Sequence, residues 1–157
     1  MNINRDIVDD YLSGKPLQEC AHQWVFHAIV DGRYLAEEVP VDSRTTIQRA
    51  VDLLEEKLSA FHPFNGKLWD AFFPDWQTTI ETTTVFLVVG CPEPYDAMTR
   101  TAPSGNEVLL FDVNRMMKYV DGPDALALLL RQMLTHECTH TCLHRRYPLP
   151  DSASSFL

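Results

Sequence analysis

From Pro123 to Pro148 the chain runs through 24 intervening positions, Asp124 to Tyr147, without a glycine or a second proline, and no other segment constrains the fold as strongly. Asp121-Gly122-Pro123-Asp124 opens it with a capping aspartate, an early proline and a first-turn carboxylate. Arg145 and Arg146 suit the negative end of a helix, and Pro148 and Pro150 stop it. Ala125 to Leu130 is apolar all round, which predicts first turns buried on every side, as for a central helix wrapped by the rest of the domain. Further on the polarity changes in one place, at Leu134-Thr135-His136-Glu137-Cys138-Thr139-His140. A buried helix that turns polar locally suggests a site.

Residues four apart on an α-helix lie one above the other, so His136 and His140 can aim both imidazoles at one point. Zinc fits such a pair, since it takes imidazole nitrogen at roughly 2.0 to 2.1 Å and keeps a position for water in catalytic sites. Glu137 lies about 100° round the helix from His136, where its carboxylate reaches that water without ligating the metal. It is the candidate general base. The structural alternative is an ordinary helix whose two histidines are hydrogen-bonded core or surface residues. Cys138 and Cys142, four apart on the same helix, are badly placed for a disulfide and read as thiols, as do the isolated Cys20 and Cys91.

A third protein ligand is harder to find. His144 continues the four-residue series, but on an unbroken helix it sits about 12 Å along the axis from His136. A break near Cys142 would favour it. Asp151, past the prolines, is the other local candidate; otherwise the ligand is absent, distant or supplied by another chain.

A chain of 157 residues, 45% hydrophobic and 22% charged, is expected to form one domain, 1–157, with a real apolar core. Its net charge of -9 argues against a grip on nucleic-acid phosphates and against acidic membranes. The first ten residues lack the apolar stretch of a signal peptide and no apolar run approaches membrane-spanning length, so a cytoplasmic protein is expected.

Along the rest of the chain, Ile3 to Leu12 reads as a short acidic helix ended by Ser13-Gly14-Lys15-Pro16. Leu17, Cys20, Ala21, Trp24, Val25, Ala28 and Ile29 repeat at helical spacing and predict a helix from Leu17 to about Val30, with His22 and His27 off its apolar stripe as structural histidines. Thr45 and Gln48 have the form of a capping box before a third helix, whose stripe is Ile47, Val51, Leu54, Leu58 and Phe61. Leu68 to Trp76 packs five large apolar side chains into nine residues and reads as core, with an aromatic substrate subsite as the functional alternative. Thr82 to Val89 and Glu107 to Val113 are strands that can pair, and Cys91 to Asn106 between them reads as a loop carrying Tyr95, a candidate oxyanion donor.

The order of helices, a Thr/Val-rich strand, a loop, a second strand ending in Asp112-Val113-Asn114, and a long helix with His136-Glu137-Cys138-Thr139-His140 resembles the zincin metallopeptidases. More narrowly, Thr82 to His144 is similar to bacterial zinc-dependent proteases allied to the gluzincins. The resemblance implies an α+β, mostly helical domain with a small sheet of two to four strands and a central HExxH helix. It implies zinc on His136 and His140, Glu137 as base, and a peptide or protein substrate bound along a strand edge. The chain departs from the gluzincin pattern after His140: 17 residues follow, none of them glutamate. A family member lacking its C-terminal subdomain would expose apolar cleft walls, which favours a protein partner or self-association into a homo-oligomer. Two function classes follow: a zinc peptidase, and an inactive relative that works by protein interaction.

Overall fold

A computed structural model describes residues 1–29 and 31–148. The fold is α+β. Its sheet has four strands in the order β1-β2-β4-β3: β1 (Asn2–Asn4), β2 (Thr84–Val88), β4 (Glu107–Asp112) and β3 (Ala97–Thr101). β1 and β4 both run parallel to β2, whereas β3 is antiparallel to β4 and forms one edge. A central parallel strand is covered on both faces, which is why Val85 to Val88 is apolar at every position rather than alternating. The register sets Val85 and Leu87 beside Leu109 and Phe111 on one face, and Phe86 beside Leu110 on the other.

The helices are α1 (Asp6–Leu12), α2 (Arg44–Ser59), α3 (Gly66–Phe72), α4 (Trp76–Thr82), the short α5 (Val113–Met116) and α6 (Pro123–Arg146). α2 buries Ile47, Val51, Leu54 and Leu58, four of the five residues of its expected stripe, and packs along α6, while the fifth, Phe61, lies past the end of the helix and is half-buried. α6 lies on the sheet face that carries Leu109 and Phe111, because Thr99 and Glu107, on that same face by register, touch its side chains. The opposite face is covered by the chain around His22 and Trp24, whose rings stand edge-on to Phe86 at 5.1 and 5.7 Å.

Several expectations from the sequence are corrected. The segment from Leu17 forms two short 3₁₀ turns, Leu17–Glu19 and Gln23–Phe26, and not an α-helix. Cys20 is extended and His22 is left-handed with φ 55°, so the backbone reverses where a helix would continue. The Gln23 amide donates to the Leu17 and Cys20 carbonyls and holds that reversal. Ile3 belongs to β1, not to the first helix, and Thr82 ends α4 before the strand begins. The capping box does not form: Ser43 precedes α2 without a side-chain cap, and the Gln48 amide turns to Asp52. Gly122, not Asp121, caps α6, with Pro123 at its first position as expected. Nor is α6 buried all round in its first turns, since Leu126 and Leu130 face inward while Leu128 is 50% exposed. Trp69 and Trp76 are core, but Leu68 and Phe72 of the same aromatic stretch face solvent.

Candidate metal centre

α6 is unbroken through Arg146, so His136 and His140 are stacked one turn apart. Their Nε2 atoms are 3.1 Å apart and the ring centroids 4.7 Å apart at 76°. Two nitrogens at that separation, each about 2.0 to 2.1 Å from a shared ion, subtend roughly 100° at the ion, close to the tetrahedral angle zinc prefers. The separation is that of a hydrogen bond between the two rings, and it is also compatible with two nitrogens on one zinc ion. His136 is exposed and His140 half-buried, so the pair opens to solvent.

Glu137 projects from the next position towards the sheet and is 8% exposed. Its Oε2 accepts a hydrogen bond of 2.8 Å from Thr99 Oγ1, which comes from the middle of edge strand β3. Oε1 makes no hydrogen bond among the described residues. The carboxylate is thus held by one oxygen. β3 lies inside the stretch Cys91 to Asn106 that the sequence suggests is a loop, and the signal for a strand there is the alternation of Thr99 and Thr101 beyond Asp96.

Among the described residues, no further candidate joins the pair. His144 lies on the same face, its ring 6.1 Å from that of His140, but its Nδ1 is 2.7 Å from Glu107 Oε2 on β4 and the helix never breaks to bring it back. Asp151 lies outside the described residues. Among those residues no group of three His, Cys, Asp or Glu side chains is arranged to hold one ion. Tyr95 is exposed in the loop before β3, and its side chain makes no hydrogen bond to the two imidazoles or to Glu137. His22, bonded to Asp6, and His27, bonded to the Gly32 carbonyl, are structural.

The cysteines are four buried thiols. Burial raises Cys20 and pushes Cys91 and Cys138 well above the usual thiol range and Cys142 up to about 11.

Behind the site, a second cluster fixes the start of β3. Arg115, 4% exposed, donates through Nε to Asp96 Oδ1, and Tyr119 Oη bonds the other Asp96 oxygen at 2.9 Å. Asp112, at the end of β4, accepts the backbone N–H of Cys91 at 2.6 Å and of Arg115 at 2.9 Å. Burial raises its pKa to about 6. Comparison with known proteins adds nothing to this geometry: no protein-family model matches the chain, and no curated protein or solved structure shows significant similarity to it. No helix of the described residues is long and apolar enough to cross a membrane.

Proposed function

We propose that this chain is a zinc-dependent peptidase whose metal sits on His136 and His140 and whose general base is Glu137. The observation that carries the reading is the 3.1 Å convergence of two imidazole nitrogens beside a carboxylate that a threonine holds by one oxygen. Zinc bound there would supply Lewis acidity towards a carbonyl and a water molecule. Glu137 takes the proton from the attacking water and passes it to the leaving amine nitrogen. Thr99 holds one oxygen of that carboxylate and fixes its position. The substrate in this reading is an extended peptide added to the sheet along β3, the antiparallel edge strand that also carries Thr99. That arrangement brings a backbone carbonyl close to the base.

A second reading rests on one observation. Only two ligands converge among the described residues, as in a relative that keeps the imidazole pair without turnover. Such a protein acts through partners or as a homo-oligomer.

Elemental analysis and peptide hydrolysis separate the two. The purified chain is expected to carry near-stoichiometric zinc, lost in His136→Ala and in His140→Ala. Glu137→Gln is expected to retain the metal while hydrolysis of a quenched-fluorescent peptide library falls by about 10² to 10⁴. Zinc content unchanged in both histidine variants rejects the metal site. Zinc that depends on both histidines, with no hydrolysis by the wild-type chain, selects the second reading. Asp151→Ala, assayed for zinc content, tests the local candidate for the third ligand that lies outside the described residues.

A further inference from the structure

We propose that the groove between the end of α2 and the first half of α6 binds an anionic amphiphile, a long-chain carboxylate. Its tail lies on Leu128, Leu130 and Leu134, and its headgroup between Lys57 and Arg131. The groove is separate from the imidazole pair and the proposal does not depend on the peptidase reading.

The cavity has a volume of about 470 Å³, and ligand sites typically fall between about 300 and 1,000 Å³. Its floor is apolar: Leu130 and Leu134 belong to the core, and Leu128 stands half in solvent at the mouth. The ionisable side chains that line it are Lys57, His62 and Arg131, with no aspartate or glutamate among them. In a chain with 22 acidic side chains against 13 Lys and Arg, this is a local inversion of charge. An apolar floor under a cationic rim is complementary to an apolar chain with one negative end.

Arg131 is prepared for this role. Its Nε donates to the His62 carbonyl at 3.0 Å, Nη2 reaches the Pro63 carbonyl at 3.5 Å, and the guanidinium lies 4.1 Å from the centroid of the Phe64 ring. Nη1 makes no hydrogen bond among the described residues, so a fixed cation keeps a donor for an incoming carboxylate. Lys57 meets Glu56 at 2.8 Å, but both side chains are exposed, and a solvated pair of this kind is easily exchanged for another anion.

The test is calorimetric titration of dodecanoate, below its critical micelle concentration, into the full chain. The controls are dodecyltrimethylammonium and dodecyl maltoside. Dodecanoate is expected to bind one per chain, and the cationic and neutral amphiphiles far more weakly. Lys57→Glu and Leu128→Glu, both substitutions of exposed side chains that leave the core intact, are expected to weaken dodecanoate by about tenfold or more. His136→Ala is expected to leave its affinity unchanged. No binding of dodecanoate by the wild-type chain, equal binding of the three headgroups, or undiminished affinity in both groove variants each overturns the proposal. So does loss of binding in His136→Ala, which places the amphiphile at the imidazoles instead.

Discussion

Gly90 closes β2 at a point where no other residue fits. Its φ is +90°, and a Cβ there would meet Leu17 Cδ1 at 2.5 Å and the Glu37 carbonyl at 3.0 Å, while its own carbonyl accepts the Glu37 N–H at 2.8 Å. Gly90→Ala combines a disfavoured backbone region with a clash against the Leu17 side chain and a tight approach to the Glu37 carbonyl, and is expected to lower stability by about 1 to 3 kcal/mol. A urea midpoint equal to that of the wild type would show that neither the left-handed turn nor the crowding exists. The stop signal itself, Gly90 with Pro92, is legible in the sequence. The reason for it is not, because Leu17 and Glu37 arrive from far upstream. His22 makes the converse case. Its left-handed backbone ended an expected helix, and nothing in a Leu/Cys/Trp/Val spacing announces a positive φ. The imidazole pair, by contrast, was fully legible, since helix geometry alone fixes how two side chains four apart relate. Thr99, the partner of Glu137, was not, because it reaches the site across 38 positions of chain.

At the scale of elements, β2, β4, α2 and α6 follow from local patterns, whereas β3 exists because of what surrounds it. Ala97-Met98-Thr99-Arg100-Thr101 has little apolar character of its own, and β4 and Arg100 hold it in place. The Arg100 guanidinium donates to the Val25 carbonyl at 2.7 Å and the His27 carbonyl at 3.1 Å, and stands 5.5 Å from the Trp24 ring. One side chain thereby fastens the irregular stretch before Asp31 to the strand that carries Thr99. Arg100→Met keeps the aliphatic stem and removes both charged hydrogen bonds, and is expected to destabilise the fold by about 2 to 3 kcal/mol. Arg100→Lys recovers little, since an ammonium lacks the planar fork that spans two carbonyls. The decisive observation is hydrogen exchange: the Ala28 and Leu35 amides, bonded to the Arg33 and Phe26 carbonyls, are expected to exchange faster in Arg100→Met. Unchanged protection at both, with unchanged stability, would mean that β4 alone sustains β3.

For the molecule as a whole, one buried carboxylate sets a pH dependence of stability whose sign opposes that of the surface acids. Asp6, Asp10 and Asp31 are held below the usual carboxylate range, mainly by hydrogen bonds from His22, from Lys15 and from the Arg33 backbone respectively, and what little they contribute is lost on acidification. Asp112 is 1% exposed and joins the exit of β2, the end of β4 and the start of α5 through the N–H groups of Cys91 and Arg115. Desolvation outweighs those donors and lifts its pKa from 3.8 to about 6. A carboxyl group whose folded pKa is the higher one binds its proton more tightly in the native state. Its stabilising contribution is therefore complete below pH 3.8 and is lost as the pH rises through about 6. The rise from 3.8 to about 6 corresponds to about 2 to 3 kcal/mol across that window. Asp112→Asn cannot titrate, and although one amide hydrogen must then face an N–H donor and lower its stability at every pH, that penalty is constant. In urea unfolding between pH 4 and pH 7.5, the wild type is expected to lose about 2 to 3 kcal/mol more than Asp112→Asn, nearly all of it by about pH 6.5. Parallel curves for the two proteins would show that the Cys91 and Arg115 donors stabilise the carboxylate fully, and that its burial carries no electrostatic cost.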